Sequence, residues 1–428
     1  MNLINKLYCR AFQRVLWLAL PLLPYRDPET LDSVRQLPEV LRGRGVERVL
    51  LVTDRQLRSR GLTAALEELL PQAGIGCTVY DGTASNPTAD NVEEARELYL
   101  REGCQALVAF GGGSSIDCAK AVGARLARPR KPLRRMEGIL KVLRPIPLLI
   151  AVPTTAGTGS ETTLAAVITD PGTHHKYPIN DFPLIPRYAV LDPEVTRSLP
   201  PAVTATTGMD ALTHAVEAYI GRSTTAHTRS DALEATRLVF AYVERAYRDG
   251  GDMEARQGMS RAAYLAGRAF TRSYVGYVHA VAHSLGGRYN IPHGLANAVL
   301  LPVVLEAYGP AVHRPLHELA VAAGISDAGE SHAAGAERFL AAVRAMNYRM
   351  GIPRTLPEIR REDIPALARY AHREANPLYP VPVLWDAGQL EMFYYKVMEG
   401  GEELDRAGDP AGRGTAAGVV SKRAHPAC

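Results

Sequence analysis

The sequence predicts an α/β domain followed by an all-helical one, on two observations. Between residues 48 and 152, short apolar runs alternate with amphipathic helical stretches; after about Leu199 the strand-like runs stop and 3.6-residue periodicities follow one another. The runs are 49–53, 77–80, 106–110 and 148–152, with helical patterns near 61–70, 90–101 and 115–127. Unbroken apolar runs suit strands buried on both faces, so the sheet is predicted parallel and covered by helices on both sides. Further helices are expected near 208–221, 229–248, 252–270, 276–289 and 296–308, then near 310–324, 333–350, 361–373 and 386–398. The change of texture is placed at Asp192-Pro193. The expected division is an amphipathic extension at 1–29, an α/β domain at 30–193, a helical domain at 194–406 and a flexible tail at 407–428. Rich in Ala, Gly and Pro, that tail shows no apolar period that could repay ordering.

The global numbers narrow the class. A chain of 428 residues with 46% apolar and 22% charged positions reads as an ordinary globular protein. Its net charge of +4 supplies no field that would draw in nucleic acid. Eight basic residues between Arg125 and Arg144 meet one acid, Glu137, but lack interleaved aromatics, so they are expected to form a solvated loop. The five cysteines are scattered without a C-x-x-C pair, as expected of reduced thiols in the cytoplasm.

At the N-terminus Ile4, Leu7, Tyr8, Ala11, Phe12, Val15, Leu18 and Ala19 recur at helical spacing, with Lys6, Arg10 and Arg14 on another face. The apolar run at 15–23 is half of the roughly 18 residues a membrane span needs, and Pro24-Tyr25-Arg26-Asp27-Pro28 offers no cleavage site. The favoured expectation is a helix docked on its own or a neighbouring subunit. Contact of residues 4–23 with a membrane surface is the alternative.

Two loops of small residues follow neighbouring strands. The run at 106–110 enters Gly111-Gly112-Gly113-Ser114-Ser115, with a helix expected to open near Ile116. Glycines let a backbone approach an anion, and a helix start favours phosphate. The second loop, Pro153-Thr154-Thr155-Ala156-Gly157-Thr158-Gly159-Ser160-Glu161, can line a nucleotide with hydroxyls and amides. Open α/β sheets bind ligands at strand carboxyl ends, and Asp54, ending the first run, is placed like an acid that holds a ribose 2′-OH and repels a 2′-phosphate. That favours NAD over NADP, although adjacent Arg55 works against it.

The helical half concentrates metal-type ligands. Asp210 and His214 are four apart, as are His279 and His283, and His293 follows Pro292 after a helix break. Imidazoles with a carboxylate, and no cysteine nearby, suit a divalent ion such as Fe(II) or Zn(II) rather than a thiolate zinc site.

As a set these motifs resemble the iron-containing (group III) alcohol dehydrogenase family. The matching residues are Gly111-Gly112-Gly113-Ser114 with Asp117 and Lys120; the loop from Pro153 to Glu161; Gly208-Met209-Asp210-Ala211-Leu212-Thr213-His214 with Glu217-Ala218-Tyr219; and His279 to Gly287 with Asn290-Ile291-Pro292-His293-Gly294-Leu295-Ala296-Asn297. The resemblance spans about 48–400. It implies the dehydroquinate synthase-like two-domain fold, in which an N-terminal α/β domain with a parallel dinucleotide-binding sheet precedes an all-helical C-terminal metal-binding domain. The active site would lie in the cleft between them. Carried over residue by residue, Asp210, His214, His279 and His293 would bind the metal, and His283 would be the non-ligand histidine beside nicotinamide and substrate. Gly112, Gly113 and Ser114 would meet the pyrophosphate, Asp117 of the same motif would be a further cofactor-binding residue, Thr154, Thr155 and Thr158 would line the cofactor, and Asp54 and Asn86 would lie at the adenosine ribose. Ser284 stands where proline is common, and both ends are extended. The implied activity is hydride transfer between NAD(P) and a small alcohol or aldehyde by a homodimer. The alternatives are a metal- and NAD-using lyase or cyclase of dehydroquinate synthase type, and a non-catalytic binding protein on this fold.

Overall fold

The computed structural model describes residues 1–172 and 176–399, so the tail expected at 407–428 lies outside the described residues. Helix α1 (Leu3–Ala19) lies against the segment 377–382 of the helical domain, its Arg10 guanidinium donating to Val381 O at 2.7 Å and its Gln13 amide to Tyr379 O at 2.7 Å. It is docked on its own chain, but by its polar side; the apolar stripe faces outward.

The α/β domain is a six-stranded sheet in the order β1 (Glu29–Leu31), β9 (Tyr188–Val190), β6 (Leu148–Pro153), β4 (Ala106–Gly111), β2 (Arg48–Val52), β3 (Gly76–Tyr80), with every pair parallel. β4 is buried at all six positions, as a central strand covered on both faces must be. Alternate residues go to opposite layers. Leu50, Val52, Leu107 and Ala109 pack with Val92 and Ala95 of α5 (Ala89–Arg101) and Ile116 of α6 (Gly113–Ala127). Val49, Leu51, Val108 and Phe110 pack with Leu37 and Leu41 of α2 (Leu37–Gly43) and Leu66 and Leu70 of α4 (Ala64–Gln72), while the short α3 (Arg55–Ser59) follows β2. Four strands fall on the four expected runs. β1 and β9, three residues each, are too short to show as runs. A second sheet, β5 (Gly138–Ile139), β8 (Lys176–Asn180) and β7 (Ala165–Thr169), is also additional: β5 has two residues, β8 alternates buried and exposed positions, and the short apolar run at 165–168 that forms β7 is not among the expected ones.

The chain passes from β2 to β3 on one side and then returns to β4 on the other, so the sheet's topological switch lies between the carboxyl ends of β2 and β4. The basic stretch is less solvated than expected. Arg125 is buried at the end of α6, donating to the carbonyls of Arg128, Pro129 and Lys131 and paired with Glu93.

The helical domain contains α7 (Pro201–Ile220), α8 (Ala226–Arg248), α9 (Met253–Ser273), α10 (Tyr277–Tyr289), α11 (His293–Tyr308), α12 (His313–Ala322), α13 (His332–Arg349), α14 (Ile364–Ala375) and α15 (Ala387–Val397). Each meets an expected segment. α7 is the innermost, packed against α8, α9, α11 and α12. Where the domains meet, a Cβ on Gly159 would stand 2.6 Å from Gly267 Cα of α9, and its φ is +61°. Two glycines thus let the loop after β6 touch the helical domain backbone to backbone.

Candidate functional site

Two constructions of opposite kind face one another across that contact. The first is made of backbone. β4 ends at Gly111, and Gly112 is the N-cap of α6, so no side chain caps the helix. The free first-turn N–H groups and the positive helix end are left for an external anion. The helix opens at Gly113, three residues before the expected Ile116. A Cβ on Gly112 would lie 3.5 Å from Thr155 Oγ1 and one on Gly113 would lie 3.4 Å from Thr158, which shows how closely the turn and the loop after β6 approach. The Thr155 hydroxyl is buried without a partner, and Thr154, also buried, donates its N–H to Gly111 O at 3.0 Å.

The other expected cofactor residues lie around this turn in different states. Asp54 ends β2 beside the switch point, its carboxylate capping α3 by accepting from Gln56 N at 2.9 Å and Leu57 N at 3.0 Å. Asn86 reaches across to α10, its amide 3.4 Å from Asn290 Oδ1. The Ser114 hydroxyl is tied to Ser85 O, leaving its N–H as the free donor. The Asp117 carboxylate accepts from Ser160 Oγ at 2.7 Å and from Val167 N at 3.0 Å, and so braces the loop. Beside it Lys120, fully buried, donates to Ser160 O, Thr163 O, Thr163 Oγ1 and Ala165 O at 2.7–2.8 Å, and burial pulls its pKa down to about 8. Buried Glu161 is pushed up to about 7.

The second construction is made of side chains. Asp210 and His214 lie one turn apart on α7, His279 on α10, and His293 is the first residue of α11. One ligand atom from each lies within 4.8 Å of the others. Close packing brings α11 there: a Cβ on Gly294 would stand 2.5 Å from Thr206 O of α7. His293 Nε2 is 3.5 Å and His279 Nε2 3.9 Å from Asp210 Oδ1. Burial dominates the electrostatics. It holds His279 well below its ordinary range, with the neighbouring imidazoles adding to the effect, and holds His293 at about 4 against the pull of Asp210; His214 is lowered for the same first reason. Neutral imidazoles are the form that binds metals. His279 Nε2 is buried with no hydrogen-bond partner, the state of a nitrogen whose partner is an ion. The donor set and this orphaned nitrogen fit one borderline divalent ion.

Supporting residues explain the order of the cluster. Glu217, one turn beyond His214, sits 2.6 Å from His279 Nδ1 and accepts the N–H groups of Gly276 and Val278 at 2.8 Å; burial raises it to about 7. It orients the ring and turns Nε2 inward. Asn297, one turn after His293, donates to Asp210 Oδ1 at 2.7 Å. His214 stacks on Phe270 with centroids 4.1 Å apart. Glu217 and Asn297 continue the i, i+3 and i, i+4 spacings of the ligand-type residues, a signal present in the sequence but not assigned a role. Glu374 carried no such signal, being 91 positions from its partner.

His283 differs from the four. Its side chain is 40% exposed, its ring stacks on His293 at 5.1 Å, and its Nδ1 lies 2.6 Å from Glu374 Oε1, which also accepts from Tyr379 OH at 2.8 Å. Burial opposes protonation, but the charge and hydrogen bond of Glu374 outweigh it and raise the pKa.

Residues 30–193 match the family described as Iron-containing alcohol dehydrogenase, and residues 204–392 match Fe-containing alcohol dehydrogenase family, C-terminal. NAD-dependent methanol dehydrogenase of Bacillus methanolicus is 37% identical over 80% of this chain and 90% of its own. 1,3-Propanediol dehydrogenase of Klebsiella pneumoniae is 37% identical over 83% and 92%. The solved structure of a 1,3-propanediol oxidoreductase superimposes with a TM-score of 0.83 and 34% identity, covering 87% of this chain and 98% of that one.

Proposed function

We infer the reaction from one premise: the chain belongs to the iron-containing alcohol dehydrogenase family and is an oxidoreductase of alcohols and aldehydes. The site-level reading rests on the convergence of Asp210, His214, His279 and His293 within 4.8 Å. We assign these four to one divalent ion, Fe(II) by family and Zn(II) by donor type, and we assign NAD to the turn after β4. When bound, the ion supplies Lewis acidity toward an alcohol or carbonyl oxygen, and the nicotinamide supplies or accepts hydride.

The chain's own groups do the rest. Glu217 and Asn297 hold His279 and Asp210 in the orientation that faces the ion. The N–H groups of Gly112, Gly113 and Ser114 take the pyrophosphate; Thr154, Thr155 and Thr158 line the remainder, and Asn86 closes the adenosine side. Asp54 holds a ribose hydroxyl and repels a 2′-phosphate, which selects NAD over NADP. His283, with Nδ1 fixed on Glu374, holds or releases the substrate hydroxyl proton at Nε2. The relatives' names support a small alcohol or aldehyde as substrate. Free Cys9, Cys77, Cys104 and Cys118 support a cytoplasmic setting, and a homodimer is carried by the family resemblance alone.

The test is NADH formation by metal-free full-length protein to which Fe(II) or Zn(II) is restored, offered short alcohols with NAD or NADP. Metal-dependent NADH is expected, with NAD preferred. No net NADH from any alcohol, with ion and NAD both bound, would replace this reading with an internally cycling lyase.

A further inference from the structure

The apolar stripe of α1 and its C-terminal extension is not buried, although Cys9 and Leu20 on the docked side are. Leu3, Ile4, Leu7, Val15, Leu18 and Leu22 are each 58–85% exposed. An amphipathic helix docked on its own protein normally buries that stripe. Here the contact is made from the opposite side by Cys9, Arg10 and Gln13, the last two spending their donors on the carbonyls of Pro377, Tyr379, Val381 and Pro382. The chain thus fixes the helix firmly while presenting its apolar face outward. A shallow groove of ≈ 280 Å³ runs along its flank, lined by Lys6, Leu7, Arg10, Pro382, Val383 and Leu384.

Charge identifies the partner. Residues 1–26 contain Lys6, Arg10, Arg14 and Arg26 and no acid. Lys6 and Arg14 are exposed, Lys6 lining the groove beside Leu7 and Arg10, and exposed Arg222 lies close enough to Arg10 to repel it. Trp17, half-buried, sits under the Arg14 guanidinium at 4.5 Å, an aromatic-cation pair at the boundary of the apolar face. Two copies joined through this face would oppose like charges with no acid from the segment to pair them. An anionic lipid surface satisfies both features, because acyl chains receive the stripe and phosphates receive the cations. With 17 residues and three charges, α1 is built to lie in the interface and not to cross it.

We propose that α1 docks the enzyme on an anionic membrane surface, with Leu3, Ile4, Leu7, Val15, Leu18 and Leu22 in the acyl boundary and Lys6 and Arg14 at the headgroups. The test is co-sedimentation of the full chain with vesicles of phosphatidylglycerol and phosphatidylcholine, against phosphatidylcholine alone. Binding is expected to the anionic vesicles and to weaken as salt rises. Lys6→Gln with Arg14→Gln should weaken it by about fivefold per residue, and Val15→Glu with Leu18→Glu should abolish it. All four changes are at exposed positions outside the cleft, so far-UV circular dichroism and alcohol turnover in solution should be unchanged. Failure of the wild-type chain to bind anionic vesicles overturns the proposal, as does binding untouched by Val15→Glu/Leu18→Glu. A lipid-free assembly that the same pair dissociates would reassign the face to a second copy of the chain.

Discussion

The turn after β4 and the cluster on α7, α10 and α11 are built in opposite ways. The turn works by what it lacks: no side chain at Gly112 or Gly113, no cap on α6, and therefore free backbone donors. The cluster works by what surrounds it, since Asp210 and His279 are each held by a second buried group, Asn297 and Glu217. A backbone site tolerates loss of neighbouring side chains and fails when atoms are added. A side-chain site fails when atoms are removed, at the ligand positions first and then at their supports.

The largest effect separating the two is expected on the cluster. His279→Ala should lower alcohol turnover on the order of 10³-fold or more, because the Lewis acid is worth several kcal/mol; steady-state kinetics with saturating NAD would measure it. The NAD dissociation constant should stay near that of the wild type, since the turn is untouched. Next, Glu217→Gln should weaken metal affinity by about 10–100-fold, the usual cost of losing an orienting carboxylate, as read by competition with a chelator. Retained affinity would mean that the Gly276 and Val278 contacts alone orient the helix.

Gly113→Val reverses the pattern. Extra methyls would enter the space of Thr158, already 3.4 Å from a modest Cβ, so the KM for NAD should rise about tenfold while bound metal stays unchanged. The sharpness with which these variants separate metal from cofactor reflects how much of each site was legible from residue order. Asp210 with His214 and His279 with His283 stood out because helical spacing carries two of each set to one face. The glycine turn stood out because it follows a fully buried strand. Asp117 was legible as part of the motif, but its bracing of the loop through Ser160 and Val167 was not, a tertiary arrangement that spacing does not encode. Glu374 was invisible for the same reason. The strands at 29–31 and 188–190 were missed because three residues make no run, and the N-terminal helix docks on its own chain as expected, by contacts of Arg10 and Gln13 that spacing does not encode.

The smallest effect is on stability, in the loop that joins the two sites. Burial raises Glu161 from 4.5 to about 7, so the folded chain binds the extra proton between those pH values and the unfolded chain does not. The contribution of Glu161 is therefore greatest below about pH 4.5 and is lost as pH rises through 7. Glu161→Gln should remove that dependence, stabilising the protein relative to wild type by roughly 1–3 kcal/mol at pH 8 and little at pH 5. Denaturant unfolding at the two pH values measures it; equal shifts at both would show that Glu161 is ionised throughout.

The most direct test of the central claim is metal content per chain, measured by mass spectrometry on the purified wild type and on single alanine variants of Asp210, His214, His279, His293 and His283. One ion per chain is expected in the wild type and in His283→Ala, with loss in each of the other four. A stoichiometric ion persisting in those four, or lost only in His283→Ala, would contradict the assignment of the cluster and the separate role given to His283.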